Sequence, residues 1–352
     1  MFQSTENSRR YVAVLMAIIL FWAAGSFIYR THDFWARGLG HLLSTCDPEG
    51  TDESNYIATC TAPLFGDYEH GALYFGLEKE AIEHLRKADV LVLGNSKAMF
   101  AFSTRATAQA FRELDARFYL LGFGYREYSR FPLALIRKYR LRPKAVIINA
   151  DPFFVDSSQF QDVIDGNPGT YFLYVLQKYF QRTQATLCPK PLEKSFLCGK
   201  NRTIYRSIAD GRWQLQNYVS TLDPRQIPET WENTPTPDLA SQREVARKFR
   251  SHLAVPDPCV IITLTPSPSP TGFFAETIAH ELNATYVVPS LNGYHTIDDV
   301  HLAPEDAERW SAEILGRAKD TLRECLLKPT LAKQAEERKL RYSDENPPLD
   351  SN

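Results

Sequence analysis

The sequence predicts an α/β protein with a central parallel, doubly wound sheet, and two patterns along the chain lead to this prediction. Short apolar runs bounded by polar residues are typical of strands that are buried on both faces. Amphipathic segments with helical periodicity follow these runs in regular alternation, which favours helical crossovers between parallel strands. The chain has 352 residues, enough for one large domain with peripheral elements around it.

The alternation divides the chain into parts. We interpret residues 1–30 as a cytoplasmic tip and membrane anchor, 31–76 as a juxtamembrane linker, 77–328 as the α/β domain and 329–352 as a flexible tail. Within the domain we expect strands at 89–93, 117–121, 145–149, 259–264 and 285–288, with helices at 78–87, 103–114, 130–139, 273–282 and 304–319. The regular pattern stops at about 156–255, which we interpret as an insertion.

A long apolar stretch near the N-terminus predicts a membrane anchor. Residues 11–29 run for 19 positions without a charged side chain, and at about 1.5 Å per residue such a helix nearly spans the hydrocarbon core of a bilayer. A cleaved signal peptide is one competing interpretation, because the segment 23–25 offers small residues. A buried core helix is the other, although a stretch that is apolar on all sides fits it poorly. We expect a retained single span.

The six cysteines fall into sequence-local pairs and indicate an oxidising compartment. None shows C-x-x-C spacing, and the short loops between the first two pairs are easy to close. The expected disulfides are Cys46–Cys60, Cys188–Cys198 and Cys259–Cys325. Six unrelated buried thiols are the alternative. Together with the anchor, the cysteines predict a protein of the bacterial inner membrane whose main domain lies in the periplasm.

Composition and motifs narrow the classes of ligand. The net charge of −2 and the pI near 6.5 provide no electrostatic reason to expect a nucleic-acid partner. No G-x-G-x-x-G sequence opens the first helix of the domain, which disfavours a dinucleotide-binding protein. We expect no cofactor and no metal ion.

Side chains that can take part in catalysis or ligand binding follow the carboxyl ends of predicted strands, where open parallel sheets bind ligands. The first is Ser96, in a Gly-Asn-Ser turn between strand and helix, where its hydroxyl projects above the sheet and its N–H can stabilise an oxyanion. The second is a glycine after the next strand, Gly122 or Gly124, whose N–H can also donate to an oxyanion. A capping serine and a simple tight turn are the alternative interpretations.

Two further positions lie after later strands. Asn149 ends the strand predicted at 145–149, and its NH₂ group can serve as an oxyanion donor because a buried amide is costly unless its groups are used. A turn-forming asparagine is the alternative. His301 follows Asp298 by three residues, a spacing that lets the carboxylate orient the ring as a general base. His295 is the rival base, and a surface histidine beside the last helix is the alternative for either.

The order of these positions resembles the SGNH, or GDSL-like, hydrolase superfamily and its membrane-anchored acyltransferase relatives, in which serine, glycine, asparagine and Asp-x-x-His blocks follow one another. The resemblance covers about residues 88–155 and 257–320. Asn95 stands where the hydrolases usually have Asp, and Ala150 stands where an Asp commonly follows the asparagine. These departures bear on the substrate and on the oxyanion hole more than on the reaction type.

The resemblance implies a fold, a set of site residues and a reaction. The implied fold is a flavodoxin-like three-layer sandwich with a central parallel sheet, here preceded by one transmembrane helix. The implied catalytic residues are Ser96, His301 and Asp298, and the implied oxyanion donors are Ser96, Gly124 and Asn149, with Gly122 as the alternative glycine. The implied activity is that of a serine esterase or O-acyltransferase that forms an acyl-enzyme.

The anchor and the resemblance together indicate a substrate and partners. Relatives with one N-terminal anchor often act on cell-envelope or exported polysaccharides, so we expect an acylated glycan as substrate and O-acetyl transfer or removal as reaction. A tethered enzyme outside the cytoplasm has no direct access to acyl-CoA, so transfer would require a membrane partner that supplies the acyl group. The alternative is a non-catalytic envelope scaffold or glycan-binding protein of a polysaccharide export system.

Overall fold

A five-stranded, fully parallel sheet forms the centre of the fold, which confirms the predicted α/β class. The computed structural model describes residues 12, 14–24, 55–60, 67–124, 127–187, 203–215, 225–226, 239–267, 272–289 and 293–327. The strands are β1 (Tyr56–Cys60), β2 (Val90–Gly94), β3 (Phe118–Gly122), β4 (Ala145–Asn149), β5 (Thr203–Ser207), β6 (Trp213–Gln214), β7 (Arg225–Gln226), β8 (Val260–Thr263), β9 (Thr285–Tyr286) and β10 (His295–Thr296). The α-helices are α1 (Asp67–Tyr74), α2 (Lys79–Lys87), α3 (Ser96–Phe102), α4 (Arg105–Glu113), α5 (Arg130–Tyr139), α6 (Gln161–Ile164), α7 (Pro168–Leu187), α8 (Leu239–Ser251), α9 (Gly272–Glu281) and α10 (Pro304–Leu327).

The central sheet has the strand order β3-β2-β4-β8-β9. In this doubly wound order the chain starts in the middle with β2, crosses to the β3 edge and then builds from β4 toward the opposite edge. Every residue of β2, β3 and β4 is buried, because a parallel sheet is covered on both faces. That burial explains why the sequences of these strands are continuously apolar rather than alternating.

Two helix boundaries differ from the prediction by two residues or more. The helix predicted at 103–114 begins only at Arg105, because the Thr104 side chain accepts a hydrogen bond from the Thr107 N–H and caps α4. A separate short helix, α3, precedes it. The last helix continues to Leu327, well beyond the predicted end at 319, and its buried residues keep helical spacing as far as Cys325.

A disulfide ties the last helix to the central sheet. Cys259 and Cys325 are bonded, with their Cα atoms 5.8 Å apart. Cys259 lies immediately before β8, so the bond fixes the end of α10 beside the start of that strand. The other two predicted pairs, 46–60 and 188–198, include residues that lie outside the described ranges.

A second, antiparallel sheet corrects the predicted linker at 31–76. Residues 56–60 form β1, which pairs with β5 from the insertion, and β5 pairs in turn with β6. Residues 67–74 form α1. The predicted linker and the predicted insertion each contribute strands to this sheet. The pairing was not evident from either segment alone, because the partner strands are far apart along the chain. The Leu120 N–H donates to the Asp210 carbonyl at 2.8 Å, so the β5–β6 turn lies along the free edge of β3.

Only part of the predicted anchor, 11–29, belongs to the described residues. Residues 14–24 are helical. Among the residues that the structure describes, no helix is both long enough and apolar enough to cross a membrane.

Candidate active site

A serine, a histidine and an aspartate are hydrogen-bonded in series at the carboxyl edge of the central sheet. The Ser96 Oγ lies 2.8 Å from His301 Nε2, and His301 Nδ1 lies 2.6 Å from Asp298 Oδ2. Ser96 begins α3 directly after β2, and His301 lies in the turn before α10. The fold therefore brings together two segments that are 205 residues apart in sequence.

The loop that carries the histidine is folded around Asp298. Its Oδ1 accepts hydrogen bonds from the backbone N–H groups of Val300 at 3.1 Å and His301 at 2.7 Å. Burial by itself raises the pKa of Asp298, but the bonds from the His301 ring and from the two N–H groups outweigh burial and hold the pKa below its usual value. Asp298 is therefore ionised at neutral pH and can stabilise a protonated imidazole.

The imidazole of His301 is supported on one face by Phe100. The two rings are stacked, with centroids 4.1 Å apart and planes 22° from parallel. Phe100 lies one helical turn after Ser96 on α3, so the helix that presents the serine also supports its partner. Phe100 was not predicted as a site residue, and its signal in the sequence is the i,i+4 spacing from Ser96.

The rival histidine has a different partner. His295 Nδ1 lies 3.0 Å from Asp306 Oδ2, and the same oxygen accepts the His295 backbone N–H at 2.7 Å. The side chain of His295 is 42% exposed, against 13% for His301. The structure thus places His301, and not His295, against Ser96.

Asn149 ends β4 with a fully buried side chain. Its Oδ1 accepts hydrogen bonds from the Thr265 N–H at 2.8 Å and the Thr265 hydroxyl at 3.2 Å. Its Nδ2 has no hydrogen-bond partner among the described residues. A buried donor without an acceptor costs about 1–3 kcal/mol, so this N–H pair is hydrogen-bonding capacity that the described side chains leave unused. Gly94 permits close packing against both α3 and β4, because a Cβ there would lie 2.4 Å from Ala98 Cβ and 3.2 Å from Asn149 Cβ.

The two candidate glycines occupy different positions. Gly122 is the last residue of β3, and a Cβ on it would lie 2.8 Å from the Met99 sulfur. Gly124 lies in the loop beyond the strand, and a Cβ there would lie 3.3 Å from the Trp213 ring. Close packing against α3 therefore accounts for Gly122, whereas Gly124 is the glycine in the loop at the sheet edge.

A polar network joins the serine block to the segment after Asn149. Lys97 Nζ lies 2.7 Å from Asp151 Oδ2 and 3.3 Å from Ser267 Oγ. Asn95 Nδ2 donates to the Asp151 carbonyl at 2.8 Å, while its Oδ1 accepts the Lys97 N–H at 3.0 Å and caps α3. The amide at position 95 thus supplies a hydrogen-bond donor that a carboxylate would lack.

A cavity of about 720 Å³ opens next to the Phe100 ring. The Trp213 ring and Leu302, the residue after His301, also line it. Charged side chains, among them Arg105 and Glu305, lie at its walls. The volume is that of pockets which hold drug-sized ligands, and Ser96 and His301 are not among the residues that line it.

Comparison with known protein families, with curated proteins and with solved structures finds no match to this chain. Within the described residues, no group of three or more His, Cys, Asp and Glu side chains is arranged to hold a metal ion.

Proposed function

We propose that the chain is a serine esterase or O-acyltransferase that works through an acyl-enzyme on Ser96. The observation that carries the proposal is the series of contacts from Ser96 Oγ to His301 at 2.8 Å and from His301 to Asp298 at 2.6 Å. Nucleophile, base and orienting carboxylate in this geometry form the triad that recurs on unrelated folds. The strand order of the central sheet supports the flavodoxin-like three-layer sandwich of the SGNH resemblance.

The first half-reaction transfers the acyl group to the protein. His301 Nε2 takes the hydroxyl proton while Ser96 Oγ attacks the ester carbonyl carbon, and Asp298 stabilises the imidazolium that forms. The bond to the alcohol oxygen then breaks, and the leaving alcohol receives the proton from His301. In the second half-reaction water or an acceptor hydroxyl attacks the acyl carbon, His301 takes its proton and then returns it to Ser96.

The oxyanion of each intermediate requires donors. We assign this role to the N–H groups of Ser96 and Gly124 and to Asn149 Nδ2. The fixed orientation and buried position of the Asn149 amide support the assignment, because a preorganised donor costs no reorganisation during the reaction.

We place this activity on a membrane-tethered protein of the bacterial periplasm. The uncharged stretch 11–29 supports the tether, and the disulfide between Cys259 and Cys325 supports an oxidising compartment. The substrate that we propose is an O-acetyl ester of a cell-envelope or exported polysaccharide. The cavity beside Phe100, with aromatic and charged walls, supports a ligand larger than the acyl group itself.

Labelling of the purified full chain with a fluorophosphonate tests the proposal. We expect labelling and p-nitrophenyl acetate hydrolysis in the wild type and in His295→Ala, and neither in Ser96→Ala. Retention of labelling in Ser96→Ala would assign the nucleophile elsewhere. Absence of labelling and hydrolysis in the wild type would overturn the enzymatic proposal in favour of a scaffold.

A further inference from the structure

A buried ion pair lies beside the segment Phe123–Gly124 that follows β3, which we call the glycine loop, and it lies outside the triad. Arg206 on β5 and Glu69 on α1 are both 0% exposed, and Arg206 Nε lies 2.7 Å from Glu69 Oε2. Removing two charges from water costs several kcal/mol per ion. A buried ion pair of this kind therefore adds little net stability to the fold. Its structural role is indicated by the other hydrogen bonds that Arg206 and Glu69 make.

The guanidinium of Arg206 holds the free edge of β3. It donates to the Leu120 carbonyl at 2.8 Å and to the Gly122 carbonyl, and it also donates to Gly211 at 3.2 Å. Leu120 and Gly122 are alternate residues of an edge strand, so their carbonyls point to the same side. Arg206 thus takes the place of a neighbouring strand at the point where β3 ends and the glycine loop begins.

The same cluster positions an aromatic ring against the loop and the triad. Trp213 Nε1 donates to Glu69 Oε2 at 3.3 Å, and the ring meets Phe100 edge to face with centroids 6.2 Å apart. Phe100 is the residue stacked on His301. The Trp213 ring also lies against Gly124. A Cβ at that position would lie 3.3 Å from the ring, so any larger residue would require the ring to shift.

We propose that Arg206, held by Glu69, is a positioning residue for acyl transfer. It fixes the end of β3 and, through Trp213, the position of Gly124, so that the Gly124 N–H can donate to the oxyanion. The inference rests on the proposed function. Neither residue touches the reacting atoms, so its effect appears in kcat rather than in substrate binding.

The test compares two matched substitutions, Arg206→Lys and Arg250→Lys. Arg250 is also buried, and it also bonds backbone carbonyls and a carboxylate, that of Asp257, but it lies before the amino end of β8, away from the serine. Lysine keeps the charge and lacks the planar fork of donors. We expect Arg206→Lys to lower kcat for p-nitrophenyl acetate about 10²-fold with KM changed less than about threefold. Arg250→Lys should leave kcat within about twofold.

Hydrogen–deuterium exchange of the same full-length proteins provides a readout that does not depend on activity. Amides of residues 118–124 should exchange faster in Arg206→Lys and at the wild-type rate in Arg250→Lys. Unchanged exchange in that segment, or a kcat equal to that of the wild type, overturns the positioning role. If Ser96→Ala shows that hydrolysis does not depend on the serine, the proposed function fails, and exchange alone decides whether Arg206 fixes the loop.

A second variant covers the case in which Arg206→Lys reduces the folded yield. Trp213→Phe keeps an aromatic ring but removes the N–H that donates to Glu69 and the indole atoms that lie against Gly124. We expect kcat to fall about tenfold to a hundredfold, consistent with loss of one hydrogen bond to a charged group. An unchanged kcat together with unchanged exchange at 118–124 contradicts the proposal.

Discussion

Two aspartate–histidine pairs lie close together in this chain, and within the part that the structure describes only the pair with His301 faces a serine. His301 and Asp298 are three residues apart with a contact of 2.6 Å, whereas His295 and Asp306 are eleven apart with a contact of 3.0 Å. Both histidines use Nδ1 toward the carboxylate. The two pairs therefore have the same contact at Nδ1, and they differ in what lies against Nε2.

The difference lies in what surrounds each ring. His301 is stacked on Phe100 and directs Nε2 to Ser96, and its side chain is largely buried. His295 belongs to a two-residue strand, and its side chain is 42% exposed. On the proposed function, an aspartate beside a histidine is insufficient for catalysis, because the placement of the ring relative to a nucleophile decides whether the pair acts as a base.

Removal of each histidine is the sharpest test of this comparison. His301→Ala should lower kcat/KM for p-nitrophenyl acetate on the order of 10⁵- to 10⁶-fold, because the serine loses its base. His295→Ala should stay within about threefold of the wild type. Equal losses in the two variants, measured by initial rates at neutral pH, would break the distinction between the pairs.

Substitution of each aspartate tests whether kcat depends on the carboxylate that contacts His301 and not on the one that contacts His295. Asp298→Asn should lower kcat on the order of 10⁴-fold, because the neutral amide neither stabilises the imidazolium nor maintains the required tautomer. Asp306→Asn, the matched change in the other pair, should leave kcat nearly unchanged. A small effect of Asp298→Asn in steady-state kinetics would show that the ring is oriented by Phe100 alone.

The amide at the sheet edge should matter less than the triad. Asn149→Ala removes the donor proposed for the oxyanion, and kcat should fall about 10²- to 10³-fold. The matched control is Asn167→Ala, since Asn167 Oδ1 accepts a backbone N–H in an exposed turn away from the site. Wild-type kcat in Asn149→Ala would restrict the oxyanion donors to backbone groups.

The pH dependence of stability should separate Asp298 from a second carboxyl group, Glu127. Burial raises the pKa of Glu127 to about 7, against the bonds from Ser158 and Gln159 and the charge of Arg130. The folded state therefore keeps a proton that the unfolded state releases, and wild-type stability should fall as pH rises from about 4.5 to about 7. Glu127→Gln removes this loss, so urea unfolding should show its stability rising relative to the wild type over that interval, by at most about 3 kcal/mol.

The pH dependence of stability that Asp298 contributes has the opposite sign to that of Glu127. Its pKa is lowered in the folded state, so its ionised form contributes stability above the ordinary carboxyl pKa, and that contribution disappears as pH falls through the lowered value. The difference in unfolding free energy between the wild type and Asp298→Asn should shrink on acidification. A difference that grows toward low pH in the same urea experiments would contradict the assigned bonds.

Much of the central sheet could be predicted because its signals are local. The runs at 145–149 and 130–139 have the predicted boundaries, since buried parallel strands are continuously apolar and the following helices are amphipathic. The antiparallel sheet was missed. Its strand β1 pairs with β5, about 150 residues away, and no pattern within either segment reports a partner at that distance.

The sequence by itself determined the α/β class, the order of the strands along the chain and the residue types available at the carboxyl edge, because burial and helical periodicity are properties of short segments. Only the tertiary structure decided which histidine meets Ser96, that Phe100 supports its ring and that Arg206 holds the end of β3. These are contacts between segments that are distant in sequence, or rotamers set by their surroundings. Their geometry depends on how the helices and the second sheet pack against the first, which local propensity does not encode.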